Sequence, residues 1–189
     1  MNFKNVSRDA LWQWGSPLVS ALLLFLMALE PSHAGGVGVY VGWVLSVPVF
    51  GLYLLGSVLL LWLWSNQARE GQWRVFDFLA SALLLVMGLK MLTGWPRPLG
   101  GIDGFPSGHT TLAFGLAWLV AQTRPRLAPL WYAVAFLVGW ARVEVKAHFD
   151  YQVLVGAALG CVLGWLVGAV REGLLFPRLW AWRNPGKRP

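Results

Sequence analysis

The stretch Gly38–Leu63, "GVYVGWVLSVPVFGLYLLGSVLLLWL", decides the class of this protein. It runs for 26 residues without a charged side chain. A helix needs about 20 apolar residues to cross a bilayer core. A strand of this length would show sustained alternation, and none is present. Outward from it, five more apolar segments lie at roughly 15–30, 75–93, 108–122, 127–141 and 151–170. The fourth and fifth of the six are short for a span, so their ends must extend into flanking sequence or sit in a thin, protein-packed region. The expected fold is all-α: a six-helix transmembrane bundle forming one integral membrane domain over residues 1–189, with no soluble module.

Composition agrees. The chain is 57% hydrophobic and 12% charged, whereas soluble domains carry about 25% charge. A net charge of +7 invites a nucleic-acid reading. The basic residues, however, lie between apolar segments and form no single soluble face, so no nucleic-acid partner is expected. With six spans, Lys4, Arg8, Arg69, Arg74, Arg124, Arg126, Arg171, Arg178, Arg183, Lys187 and Arg188 fall on one side. Lys90, Arg97, Arg142 and Lys146 fall on the other. The positive-inside rule then puts both termini in the cytoplasm, as for a bacterial cytoplasmic (inner) membrane protein. The first span loosely resembles a secretory signal with Ser32 and Ala34 at the cleavage positions, and is read as retained.

Other features have plain structural readings. Cys161 is the lone cysteine, which excludes an intramolecular disulfide, and it is read as helix packing. Gly156, Gly160, Gly164 and Gly168 recur every four residues and present a smooth face to another helix. His33 is read as a loop residue. The tail, with Trp180 and Trp182 beside Arg178 and Arg183, suits a membrane interface.

The outer end collects the chemistry. Lys90 ends span three, Arg97 follows, "PSGH" (Pro106–His109) opens span four, Arg142 ends span five and His148 precedes span six. Alone, each has an ordinary explanation: Lys90 could snorkel, the arginines could anchor loops, and Ser107 is the expected N-cap of span four. Together, three cations can neutralise a phosphoryl group. The start of span four adds backbone N–H groups that Gly108 leaves open to close approach. Two imidazoles can divide the work of nucleophile and proton donor. No carboxylate or Cys/His cluster is seen on this side, so neither a metal nor another cofactor is expected.

These residues resemble the three-part signature of the type-2 phosphatidic acid phosphatase superfamily. "KMLTGWPRP" matches its first motif through Lys90, Arg97 and Pro98, "PSGH" its second, and "ARVEVKAHFDYQ" its third through Arg142 and His148. The resemblance covers about residues 75–160 and implies six spans and metal-independent hydrolysis of a lipid phosphate or diphosphate on the outer face. Implied substrates are phosphatidate, phosphatidylglycerol phosphate, polyprenyl diphosphate or lipid A phosphates. It further implies that His148 attacks phosphorus and His109 protonates the leaving oxygen. Lys90, Arg97, Arg142, Ser107 and Gly108 would hold the phosphoryl oxygens. A lipid phosphotransferase and a non-catalytic lipid-phosphate-binding or transport protein are the alternatives.

The third motif departs from the pattern twice. Ala141 stands where the family often has Ser, and Gln152 where it has the Asp that orients the nucleophilic histidine. Candidates to orient His148 are, in order, Gln152, Asp150 and Glu144.

Overall fold

The structure, a computed structural model, describes residues 3–29, 36–64 and 68–171. His33, Ser32, Ala34 and the Arg178–Arg183 tail lie outside the described residues, as do the side chains of Lys4, Arg8, Arg69 and Arg171. Among the described residues there are six helical rods and no strand. They are α1 (Phe3–Leu29), α2 (Gly36–Val44 continuing through a π-helical turn, Leu45–Val49, into Phe50–Trp64), α3 (Ala68–Thr93), α4 (Gly108–Thr123), α5 (Ala128–Glu144) and α6 (Asp150–Arg171). The π turn contains Pro48. Proline has no N–H to donate and its ring crowds the preceding turn, which a wider turn accommodates.

Four rods, α1, α2, α3 and α6, are long and apolar enough to cross a membrane. Helices α4 and α5 have 16 and 17 residues and fall short of that length. The packing explains how α4 is housed. Helix α4 is the hub, touching all five others, and its residues Ala113 to Ala121 are all buried. A helix sheathed by protein need not match the bilayer thickness. The outward faces of α1, α2, α3 and α6 carry exposed Leu, Phe, Met and Trp side chains, as lipid-facing surfaces do.

The closest pairing is α4 on α6, and the glycine stripe makes it possible. A Cβ on Gly160 would lie 2.3 Å from the Thr111 carbonyl oxygen and 2.9 Å from the Gly115 nitrogen. One on Gly156 would lie 2.7 Å from the Ser107 carbonyl oxygen. These obstacles are backbone and cannot turn aside. Gly160→Val is therefore expected to destabilise the bundle by about 3 kcal/mol or more, read as a lower melting midpoint of the purified protein in detergent.

The rods alternate in direction. Asp9, near the start of α1, pairs with Arg126 of the α4–α5 turn at 3.7 Å, which marks one end of the bundle. The α3–α4 and α5–α6 connections lie at the other end.

Candidate active site

Two loops and four helix ends build the site. Helix α3 stops at Gly94, whose left-handed φ of 58° lets its N–H return to the Lys90 carbonyl. The following loop folds back on itself: Gly104 N–H donates to Trp95 O (2.8 Å) and Arg97 N–H to Gly101 O (3.1 Å). Gly100 and Gly101, at φ 98° and 97°, supply the turn that this needs. On the far side, α5 ends with Lys146 at φ 54°. Lys146 N–H bonds Val143 O, and Ala147 and His148 N–H both bond Arg142 O, a Schellman-type stop. That reversal ties the His148 backbone to the residue that carries the Arg142 guanidinium.

His148 is 3% exposed. Its Nδ1 faces two oxygens, the Gly104 carbonyl at 2.8 Å and Gln152 Oε1 at 3.2 Å. The Gln152 amide orientation follows from its other partners. Nε2 donates to Pro96 O (2.8 Å) and Oε1 accepts the Phe149 N–H (3.2 Å). With acceptors on both sides, Nδ1 must carry the ring proton, and the Nε2 lone pair is left for chemistry. The Phe149–Gln152 bond is half of a capping box, since Phe149 precedes the first residue of α6 and Gln152 is its third.

Gln152 is thus the partner of His148. Asp150 is the first residue of α6, in the helix position where an acid suits the dipole. Glu144 is buried beside Gly42 of α2. The His148 ring bonds Gly104 and Gln152 instead of either carboxylate. The Gly104 carbonyl is a partner that motif reading missed, because a backbone oxygen has no letter in a sequence. The glycine itself was the available signal. A Cβ there would lie 2.4 Å from Pro96 O and 2.7 Å from Gln152 Nε2.

Lys90, Arg97, Arg142, His109 and His148 come together at this end. The charges of Arg142, Arg97 and Lys90 all act on His109, and those of Arg142 and Lys90 on His148. Arg97 and Arg142 each keep a buried Nε–H with no partner among the described residues. Ser107 is the N-cap of α4 by position, but its hydroxyl does not cap. It meets Thr110 Oγ1 at 2.9 Å, and the Ser107 N–H donates to Gln152 O. Gly108 is half-buried at the first turn of α4, against Val86. His109 packs on Phe50, centroids 4.6 Å apart, and the π turn immediately precedes that phenylalanine. Trp95, Phe105, Phe149 and Tyr151 form an aromatic rim around the two loops. Ala141 is fully buried and offers no hydroxyl.

Sequence reasoning also passed over Asp103. Its carboxylate holds Arg97 (Nη2 to Oδ2, 2.7 Å), and its carbonyl accepts from Lys90 Nζ.

Burial holds the His148 imidazolium below its ordinary range, at about 4. Arg142 and Lys90 push the same way, and the Gln152 and Gly104 oxygens oppose them. An unfolded chain takes up this proton near pH 6.5 and the folded one only near 4, so protonation favours unfolding. The His148 contribution is whole above about pH 6.5 and is lost as pH falls toward 4, at up to about 1.4 kcal/mol per pH unit. The melting midpoint in detergent is expected to drop across that window, and His148→Gln to flatten the drop.

The model of the PAP2 superfamily matches residues 92–174, a segment that begins two residues after Lys90 and includes every other site residue. Among curated proteins, the lipid A 1-phosphatase of Porphyromonas gingivalis is 35% identical over 101 residues, covering 50% of this chain and 23% of that protein. The bacitracin transport permease protein BcrC of Bacillus licheniformis is 36% identical over 58 residues, 31% of this chain and 29% of that one. Human glucose-6-phosphatase 3 is 37% identical over 78 residues, 34% of this chain and 22% of that one. The chain spans less than a third of the length of each of these relatives. No solved structure matches it.

Proposed function

From the match of residues 92–174 to the PAP2 superfamily and from the site's geometry, we propose that this chain hydrolyses a lipid phosphate or diphosphate through a phosphohistidine. The observation that carries the proposal is the setting of His148. Its proton is held on Nδ1 by Gly104 O and Gln152 Oε1, in the field of Arg142 and Lys90.

His148 Nε2 attacks phosphorus, and the bond from phosphorus to the lipid oxygen breaks. His109 gives its proton to that oxygen, and the lipid alcohol or monophosphate departs. A water molecule then attacks the phosphohistidine, His109 takes its proton, and the bond from phosphorus to nitrogen breaks to release inorganic phosphate. Lys90, Arg97 and Arg142 offset the charge on the phosphoryl oxygens throughout, with the unspent Nε–H groups of the two arginines as ready donors. The Gly108 amide adds the first turn of α4. Ser107 ties α4 to α6, its N–H donating to Gln152 O while its hydroxyl meets Thr110.

The aromatic rim suits the headgroup level of a membrane, where a lipid's phosphate reaches the cations while its tails stay in the bilayer. The charge asymmetry across the spans supports an outward-facing site in a cytoplasmic membrane. The relatives named for lipid A 1-phosphatase activity support a lipid phosphate as substrate. The test is phosphate release by the full-length protein in detergent from phosphatidate, phosphatidylglycerol phosphate, a polyprenyl diphosphate and lipid A. Release from at least one is expected, and silence across the panel refutes the proposal. Label passing to a second lipid instead of water would mark a phosphotransferase.

A further inference from the structure

The phosphate site already contains an anion. The Asp103 carboxylate takes Nη2 of Arg97 at 2.7 Å, and its backbone carbonyl takes Lys90. Two of the three cations are therefore occupied by one residue of the α3–α4 loop. The mechanism above has no use for an acid there. We propose that Asp103 is a resident counter-anion, which a phosphate must displace from Arg97 to bind, so that it weakens phosphate binding and hastens product release. The proposal rests on the phosphate-handling reading of this site.

Three observations support it. First, the cations burden one another: Arg97 and Arg142 act on Lys90, and Arg97 acts on Arg142. A nearby carboxylate relieves that repulsion when no phosphate is bound. Second, a carboxylate and a phosphoryl group compete for the same guanidinium fork, so the two cannot both be fully engaged at Arg97. Third, the Asp103 side chain is 55% exposed, while the Arg97 Nε–H is buried and unspent. The carboxylate can swing into water at little cost, and Arg97 retains a donor for the incoming oxyanion. The turn at Gly100 and Gly101 holds the backbone of Asp103 in place, so its carbonyl can remain on Lys90 during the exchange.

The test uses the full-length protein in detergent with inorganic phosphate as the probe. It reads inhibition of lipid phosphate hydrolysis and the rise in melting midpoint with added phosphate. Asp103→Asn is expected to tighten inhibition by about tenfold and to lower KM in the same direction. Asp103→Glu is expected to keep inhibition near the parent value. Unchanged or weaker inhibition in Asp103→Asn overturns the proposal. So does an Asp103→Asn protein that fails to fold, because the carboxylate would then be a structural tie. A parent protein that neither releases phosphate nor is stabilised by it removes the phosphate reading, and this proposal with it. A parent that does both, beside an indifferent Asp103→Asn, overturns this proposal alone.

Discussion

Replacing His148 by alanine is expected to lower turnover of a lipid phosphate by about 10⁴-fold or more, with little change in KM. The alanine removes the Nε2 lone pair that the proposed mechanism needs for its covalent intermediate. Lys90, Arg97 and Arg142 survive the change, so binding of lipid phosphate is expected to persist. Brief exposure to substrate labelled in its phosphate should leave label on the parent protein, in an acid-labile linkage, and none on His148→Ala. His109→Ala should behave differently. It retains the nucleophile but has lost the proton donor, so it is expected to be slow with lipid alcohol leaving groups and less impaired with an acidic phenol. Normal phosphate release by both variants would exclude the mechanism.

The second large effect is expected at Gln152. Its amide is fully buried and satisfied: Oε1 serves His148 and Phe149, and Nε2 serves Pro96 and Tyr151. Gln152→Ala strips the α6 cap, the tie to the α3–α4 loop and one of two acceptors for the His148 proton. A loss of about 100-fold in kcat is expected, with about 2 kcal/mol or more of stability, since each orphaned buried group costs about 1–3 kcal/mol. Gln152→Asp, which restores the family's acid, is not expected to rescue or improve activity. A shorter carboxylate cannot donate to Pro96 O, and it would set negative charge among carbonyl oxygens that now face an amide. A fall of about tenfold is expected, read as kcat on the best lipid substrate. A large gain instead would mean that an orienting charge is what this site lacks.

How much of this was legible in the sequence depends on whether a feature is local. The apolar runs mark six helices because a helix satisfies its own backbone polar groups, whatever surrounds it. The glycine stripe of α6 announced close packing because a four-residue period lands on one helix face. The spacing of Lys90, Arg97, His109, Arg142 and His148 around alternating spans brings them to one end by connectivity alone.

The long-range contacts were decided elsewhere. Sequence placed Gln152 in reach of His148 by a four-residue step, but not its bond to Pro96, which crosses 56 residues. The Gly104 carbonyl reaches His148 across 44 residues, and Asp103 meets Lys90 through a backbone oxygen. The short length of α4 is explained only by its being sheathed by the other five helices. By itself the sequence determined the class of fold, the helices and the residue types available for phosphate chemistry, all of which follow from periodicity and side-chain identity. Which oxygens hold the His148 proton, and which anion occupies Arg97, were decided only by the tertiary structure, because those contacts depend on how two loops close against each other.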